Sequence, residues 1–294
     1  YIAPQPLVPA ATKFSHQYTK LFAKLAQEVT GPSKKCEEYF RKAGVYKPVN
    51  VIPNPVDLDM FDPGKIPEEK KNAFREKFGY QHGETVGLFV GRLGREKSVD
   101  LLLDYWKKTI RPEENIRLLV IGDGPCREEL EEQAVRLGIT DMVTFAGKVL
   151  HTDMPPYVGT CDFYITASTS DTDSISMLEG MAMGLPVLQI IDPLNEGQVR
   201  DGVNGYIYAD AGQMAQQIRM LQQMPPQQML KTMPADRLSA LRASARRSVQ
   251  QSGAVNLAEY VLKVYNTALH KKRRSRLMTT PAFRVHLRKQ NKGD

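Results

Sequence analysis

Two stretches of this chain place charged and small residues at the spacing of phosphate-binding turns. One is Phe89-Val90-Gly91-Arg92-Leu93-Gly94-Arg95-Glu96-Lys97; the other runs from Thr169 to Val187 and carries Asp171, Ser174 and Glu179. In the first, Val86 to Val90 has the apolar run of a short strand, Gly91 and Gly94 permit a tight backbone, and Lys97 to Leu103 has helical apolar spacing. Arg92 offers a planar fork and Lys97 a point charge, the two ways a side chain holds a diphosphate. In the second, Asp162 to Ser168 reads as a buried strand, and a helix is expected to begin near Ser174 with Met177, Leu178 and Met181 on its apolar face. The free amides of its first turn, over Ser174, Ile175 and Ser176, form an anion site. Glu179 lies five residues in, about 7 to 8 Å along the axis at 1.5 Å per residue. That is near the distance from a nucleotide's diphosphate to its ribose. One patch then holds a sugar-nucleotide diphosphate on amides, Arg92 and Lys97 while Glu179 accepts from ribose hydroxyls. The competing reading of these charges is a solvated turn and an exposed helix acid.

These groups need a scaffold, and the pattern supplies one. Phe14 to Leu25 reads as a helix, Glu28 to Gly31 as a short strand, and Ser33 as the N-cap of a helix ending near Ala43-Gly44. From Val49 onward strand and helix alternate. Strands are expected near Val86, Ile116, Met142, Asp162, Leu185 and Gly205, and helices near Ser98, Glu128, Met177 and Met214. Continuous apolar strands between amphipathic helices imply a parallel sheet covered on both faces. Ligands bind such sheets at the carboxyl ends of the strands, where Arg92, Val149 and Asp171 fall. Gly122-Asp123-Gly124 lacks the third glycine of a dinucleotide fingerprint and reads as an ordinary strand-to-helix turn. Pro225-Pro226 ends a helix, and the methionines from Met214 to Met233 suit packing. Leu257, Val261, Val264 and Ala268 share one helical face.

At 294 residues, 41% hydrophobic and 25% charged, the composition is that of an α/β protein with one sizeable core or two unequal ones. No run approaches the length of a membrane-spanning helix, and the first residues lack a basic segment followed by an apolar one, so secretion is not expected. Cys36, Cys126 and Cys161 are dispersed without CxxC spacing, which favours reduced thiols over disulfides or zinc. Residues 270–294 hold nine Lys or Arg against one acid, Asp294, a net of +8. The whole chain is +7, so residues 1–269 together carry −1. Leu277, Met278, Phe283, Val285 and Leu287 lie among those charges and suit a surface anchor on anionic lipid. The alternative is a solvated tail. No nucleic-acid motif accompanies the charge, and no nucleic-acid partner is expected.

Taken together, the motifs resemble the family 4 retaining glycosyltransferases of two-Rossmann-domain (GT-B) architecture. Besides the two phosphate-site stretches, the resemblance rests on Ile52-Pro53-Asn54-Pro55-Val56-Asp57 followed by Phe61, on Ile121 to Pro125, on Phe145 to Val149 and on Asp201 to Tyr206. It implies an α/β fold in which residues 1–48 are the remnant of an N-terminal acceptor domain and 49–224 form the nucleotide-sugar-binding Rossmann-like domain. C-terminal helices over 225–269 and a basic tail over 270–294 follow. In roles, the resemblance implies that Arg92 and Lys97 stabilise the leaving diphosphate, that Asp171 meets the donor sugar, and that Glu179 binds ribose. The backbone at Gly91 and the amides of Ser174, Ile175 and Ser176 line the phosphates, and Val149 approaches the base. Asp171 is one methylene shorter than the family's usual glutamate, Pro55 stands where glycine is common, and Asn195-Glu196-Gly197 stands where a Gly-rich segment is common.

The implied activity is transfer of a hexose, with retention, from a UDP- or GDP-linked donor. No cofactor beyond that donor and no metal are expected. Asp171-Thr172-Asp173 also spells a metal-binding Asp-x-Asp, which Arg92, Lys97 and a helix terminus render superfluous. Thr166 to Asp171 is similar to bacterial synthases that glucosylate diacylglycerol, which suggests a glycolipid or cell-envelope acceptor and a cytoplasmic protein peripheral to the inner face of the membrane. Residues 1–48 are fewer than the roughly 100 to 150 of a usual domain, so this chain is expected to bind donor but transfer sugar poorly. Two alternatives stay open: a non-catalytic nucleotide-binding or interaction module derived from a GT-B enzyme, and a phosphorylase-like or epimerase-like enzyme.

Overall fold

The computed structural model describes residues 8–195, 197–223 and 237–279. The chain divides into two units, residues 1–53 with 255–294, and residues 54–254. In the first unit α1 (Val8–Leu25), β1 (Val29–Gly31), α2 (Lys34–Lys42) and β2 (Val49–Val51) follow in order, and β1 and β2 pair in parallel. Helix α1, strand β1 and helix α2 fall where the apolar spacing places them. Ser33 stands at the N-cap of α2 without a side-chain cap bond. Ala23, Val29 and Val45 form a small core, against which Phe40 and Val49 pack.

The second unit holds the extended sheet. Its strands are β3 (Thr85–Val90), β4 (Ile116–Ile121), β5 (Val143–Gly147), β6 (Phe163–Thr166), β7 (Val187–Ile190) and β8 (Gly205–Tyr208). All pair in parallel in the order β5-β4-β3-β6-β7-β8. Strand order therefore runs outward in both directions from the β3/β6 pair, which makes that pair the topological switch point of a doubly wound sheet. Helix α3 (Glu68–Lys77) precedes β3; α4 (Val99–Thr109), α5 (Arg127–Leu137), α6 (Met154–Gly159) and α7 (Ile175–Ala182) lie between strands, and α8 (Ala211–Gln223) and α9 (Arg237–Val249) follow β8.

Side-chain alternation along the strands builds two cores, one per face. Leu118, Val120, Phe163 and Ile165 meet Leu102, Leu103, Trp106, Met214 and Ile218 of α4 and α8. Their neighbours Leu119, Ile121 and Tyr164 join Met177, Met181, Ala245 and Val249 of α7 and α9. Truncating the fully buried Trp106 to Ala would cost about 3 to 5 kcal/mol.

Sequence pattern and structure differ in places. The helix expected near Ser98 begins at Val99, after a 3-10 turn over Arg95–Lys97 and a left-handed Ser98 at φ 50°, ψ 39°. Apolar periodicity did not register that break. The helices α3 and α6 were not anticipated: α3 carries no buried residue, and α6 is six residues long and contains Pro155-Pro156. Cys36, Cys126 and Cys161 are free thiols. The long α10 (Ala254–Thr279) belongs to the first unit, and Lys271 on it pairs with Glu28. Residues 280–294, most of the basic tail, lie outside the described residues, as do Glu196 and Pro225-Pro226. Among the described residues no helix is long and apolar enough to cross a membrane.

Candidate functional site

At the switch point the chain leaves β3 and β6 through two loops that lean on each other. The β3 loop is fixed first by backbone geometry. The Gly91 amide donates to the Ile121 carbonyl at 3.0 Å, and the Leu93 amide to Asp123 O at 3.0 Å. Gly122, at φ +144°, sits so close that a Cβ there would lie 1.9 Å from the Gly91 carbonyl oxygen. Only glycine lets these two turns touch, which is the physical content of the Gly122-Asp123-Gly124 sequence.

From this turn Arg92 projects into solvent and pairs with none of the described residues. Lys97, at the end of the 3-10 turn, forms an ion pair with Asp171 from the β6 loop, both side chains about one-fifth exposed. Ser168 Oγ donates to the Glu96 carbonyl at 3.3 Å, a second tie between the same two loops. The left-handed Ser98 directly follows Lys97, so local strain sits beside the candidate site.

Helix α7 opens on this junction. The Leu178 amide is the first to bond back, to the Ser174 carbonyl at 3.0 Å, which leaves the amides of Ile175, Ser176 and Met177 as the unpaired donors of the first turn. The side chains there are otherwise engaged. Ser176 Oγ donates to the Val90 carbonyl at 2.9 Å and lies 2.9 Å from the Tyr164 hydroxyl, which reaches the same carbonyl at 3.1 Å. Burial pushes the Tyr164 phenol up to about 12, so it stays a neutral donor. Ser174 Oγ lies 3.2 Å from Ser176 Oγ, and Ile175 turns half-exposed to solvent. What this helix end offers an anion is therefore backbone, not hydroxyls.

Glu179 is 5% exposed, and its Oε1 lies 2.6 Å from His151 Nε2. Burial raises the Glu179 pKa, and the imidazole contact opposes that rise. His151 follows Val149 by two residues in the turn after β5, and Val149 is half-buried against the core on the α7 face. The structure thus joins Lys97 to Asp171, Ser176 to the end of β3, and the Val149 segment to Glu179.

Three residues outside the sequence-derived set organise the other flank. The Asn54 amide donates to Asp173 Oδ2 at 2.5 Å and the Asn54 carboxamide to the Asp173 carbonyl at 2.7 Å, while Gln198 Nε2 donates to Asp173 Oδ1 at 2.8 Å. Burial raises the Asp173 pKa, opposed by the Asn54 amide. Asp173 thereby clamps the IPNPVD segment, the β6 loop and the segment before β8. Asn54 was visible within its motif, but no spacing announced its partner. His151 is a lone histidine with no periodic signal, and only the fold brings it to Glu179. Among the described residues no group of three or more His, Cys, Asp or Glu is arranged to hold a metal ion.

Comparison with known proteins gives this geometry a family context. Residues 84–223 match the model of the Glycosyl transferases group 1 family. The alpha-monoglucosyldiacylglycerol synthase of Streptococcus pneumoniae is 34% identical over 158 residues, 54% of this chain and 36% of that protein. The enzyme of the same name from Acholeplasma laidlawii is 25% identical over 223 residues, 76% of this chain and 55% of that one. The chain thus spans between about a third and a half of these relatives' lengths. In fold it resembles the crystal structure of Anabaena HepE in complex with UDP and glucose, with a TM-score of 0.72 at 20% identity, covering 87% of this chain and 67% of that one. The resemblance to GT-B glycosyltransferases and the expected parallel α/β fold both hold.

Proposed function

We propose that the chain, whose residues 84–223 match the Glycosyl transferases group 1 family, binds a nucleotide-sugar donor, UDP-linked, at the β3/β6 switch point. There it serves transfer of a hexose with retention of anomeric configuration. The observation that carries this reading is the convergence of Arg92, the Lys97–Asp171 pair, the open amides of α7 and the buried Glu179 at the carboxyl ends of those two strands. In such a transfer, negative charge develops on the diphosphate oxygens as the anomeric bond breaks. Fixed cations and oriented amides stabilise that charge without having to reorganise.

In this reading Arg92 and Lys97 take the diphosphate together with the amides of Ile175 and Ser176. Ser174 stands at the N-cap position of the helix that presents them, Gly91 lets the phosphates approach backbone, Glu179 accepts from ribose hydroxyls, and Val149 lies toward the base. Lys97 reaches the phosphate by sharing its ammonium with Asp171, which in turn lies where a donor sugar meets the diphosphate. The acceptor attacks on the leaving-group face with no enzyme nucleophile. UDP as the donor nucleotide is supported by the UDP and glucose named in the Anabaena complex. A glycolipid acceptor is supported by the diacylglycerol named in both synthases. The basic tail agrees with work at an anionic membrane surface.

Calorimetric titration with UDP and GDP tests the donor site. Arg92→Ala should weaken UDP binding by about 1.5 to 3 kcal/mol, the worth of hydrogen bonds to a charged group. Unchanged affinity in a folded Arg92→Ala protein would remove Arg92 from the site.

A further inference from the structure

The Phe61 that follows the IPNPVD segment has no task in the donor site as described so far, yet it is fully buried, at 0% exposure. Its place is set locally. Asp57 accepts the amides of Asp59 and Met60 at 3.0 and 2.9 Å, and the Phe61 amide closes the turn on the Asp57 carbonyl at 3.0 Å. The ring so presented meets the His151 imidazole, with centroids 5.6 Å apart and planes at 51°. The other end of that imidazole is the 2.6 Å contact with Glu179 Oε1.

A histidine whose side chain is 59% exposed would ordinarily sample several rotamers. Here one edge rests on a buried aromatic ring and one nitrogen on a carboxylate that is itself only 7% exposed. From this arrangement we propose that His151 is a positioning residue for the Glu179 carboxylate, with Phe61 in turn fixing the imidazole. The inference rests on the reading of Glu179 as the ribose-binding acid. It gives the IPNPVD segment and the turn after it two duties at one site: Asn54 shapes the β6 loop through Asp173, and Phe61 shapes the ribose acid through His151.

The chemistry asks for such a partner. A carboxylate that accepts from two ribose hydroxyls must be ionised, and the burial of Glu179 works against ionisation. Among the described residues, the other ionisable groups on the elements packed against α7 pair elsewhere or face solvent. On α9, Arg242 pairs with Asp162, Arg246 pairs with Asp62 and donates to the Ala182 carbonyl, and Arg247 faces solvent. On β6, Tyr164 is neutral and bonded to Val90 and Ser176. Near His151, Asp153 is exposed beside Thr152. That leaves the imidazole as the group that holds Glu179 charged and aimed.

The experiment follows Glu179 with and without its partner. Side-chain carbon NMR of the nucleotide-free protein should show the Glu179 carboxyl titrating at higher pH in His151→Ala than in the unaltered chain. His151→Gln, which keeps an N–H donor, should return it toward the original position. UDP affinity should then fall about tenfold in His151→Ala on the acid side, the scale of one hydrogen bond to a charged group, with a smaller deficit at alkaline pH. A purely structural defect would lower affinity equally at every pH. Identical Glu179 titrations in His151→Ala and the unaltered chain would overturn the proposal, as would a deficit that does not change with pH. If Glu179→Gln leaves UDP affinity intact, the ribose reading fails and this inference loses its ligand, whereas an unshifted Glu179 titration in His151→Ala alone leaves that reading standing.

Discussion

The two edges of the large sheet use acidic residues in opposite ways. At the amino edge Glu84, Glu114 and Asp162 each meet a guanidinium. Glu84, immediately before β3, accepts from Arg117 Nε at 2.7 Å and Nη2 at 2.5 Å, and Glu114, just before β4, accepts from Arg219 at 2.5 and 3.1 Å. Asp162, before β6, accepts the Val86 amide at 2.9 Å and faces both Arg75 and Arg242. At the carboxyl edge the buried Glu179 and the half-buried Asp173 lack a guanidinium, and Arg92 stands in solvent without a carboxylate.

The titration directions follow. Burial opposes ionisation of Glu84, but Arg117, the Gln81 amide and Arg75 together outweigh it, and Arg219 leads the lowering at Glu114. Burial prevails at Glu179 and Asp173, whose pKa values are raised. Paired charge at one edge holds the strands together. Charge left imperfectly compensated at the other is available to a ligand, which is how functional sites differ from structural ion pairs.

The strongest way to break this contrast is to unpair the amino edge. Arg117→Ala leaves the Glu84 carboxylate, 3% exposed, without its cation. Removing one partner of a buried pair costs about 3 kcal/mol or somewhat more. Urea unfolding should show that loss, while UDP affinity of the folded variant, measured by calorimetry, stays as in the unaltered chain. A parallel drop in affinity would mean that the two edges are coupled and the contrast is false.

A smaller effect, of opposite sign at the two edges, belongs to pH. The depressed carboxyls of Glu84 and Glu114 bind fewer protons folded than unfolded. The stability they contribute is present above the ordinary carboxylate range and is lost as pH falls through their lowered values. The raised carboxyls of Glu179 and Asp173 bind more protons folded than unfolded. Their contribution grows as pH falls through the raised values toward the ordinary range. Unfolding free energy should therefore rise slightly on leaving neutrality and then decline in stronger acid. Glu179→Gln should diminish the rise and Glu84→Gln the decline. A rise untouched by Glu179→Gln would show that the acid is not the buried, uncompensated group described here.

One side of this contrast was legible in the sequence. The strands and the main helices follow from apolar runs and periodicity. The carboxyl-edge residues announced themselves because Gly91, Arg92, Lys97, Asp171 and Glu179 stand at fixed offsets from those strands. The amino-edge pairs did not: Glu84 and Arg117 are joined by strand register, a long-range relation that no local spacing encodes. His151 and Gln198 were missed for the same reason. Each reaches its partner from a separate loop, and a single His or Gln has no period to detect. The left-handed break at Ser98 before α4 also escaped, since apolar spacing continues through a residue whose backbone has turned left-handed.

The smallest expected effect is that of metal removal on nucleotide binding, and it sharpens the contrast at the carboxyl edge. Asp171 and Asp173 spell Asp-x-Asp, but their side chains serve different neighbours. Lys97 holds the first, and Asn54 with Gln198 holds the second. For both to ligate one divalent cation, the Lys97 pair and the Asn54 and Gln198 bonds would have to open together. The cation would then replace an ammonium that already neutralises Asp171. With Arg92 and the α7 amides supplying the remaining positive potential, a metal adds little to what the diphosphate meets. EDTA should therefore leave calorimetric UDP affinity unchanged, and Asp173→Asn should act only through the shape of the loop it clamps. Loss of binding in EDTA, restored by magnesium or manganese and abolished in both Asp171→Asn and Asp173→Asn, would assign the charge at this edge to a metal instead of to Lys97 and Arg92.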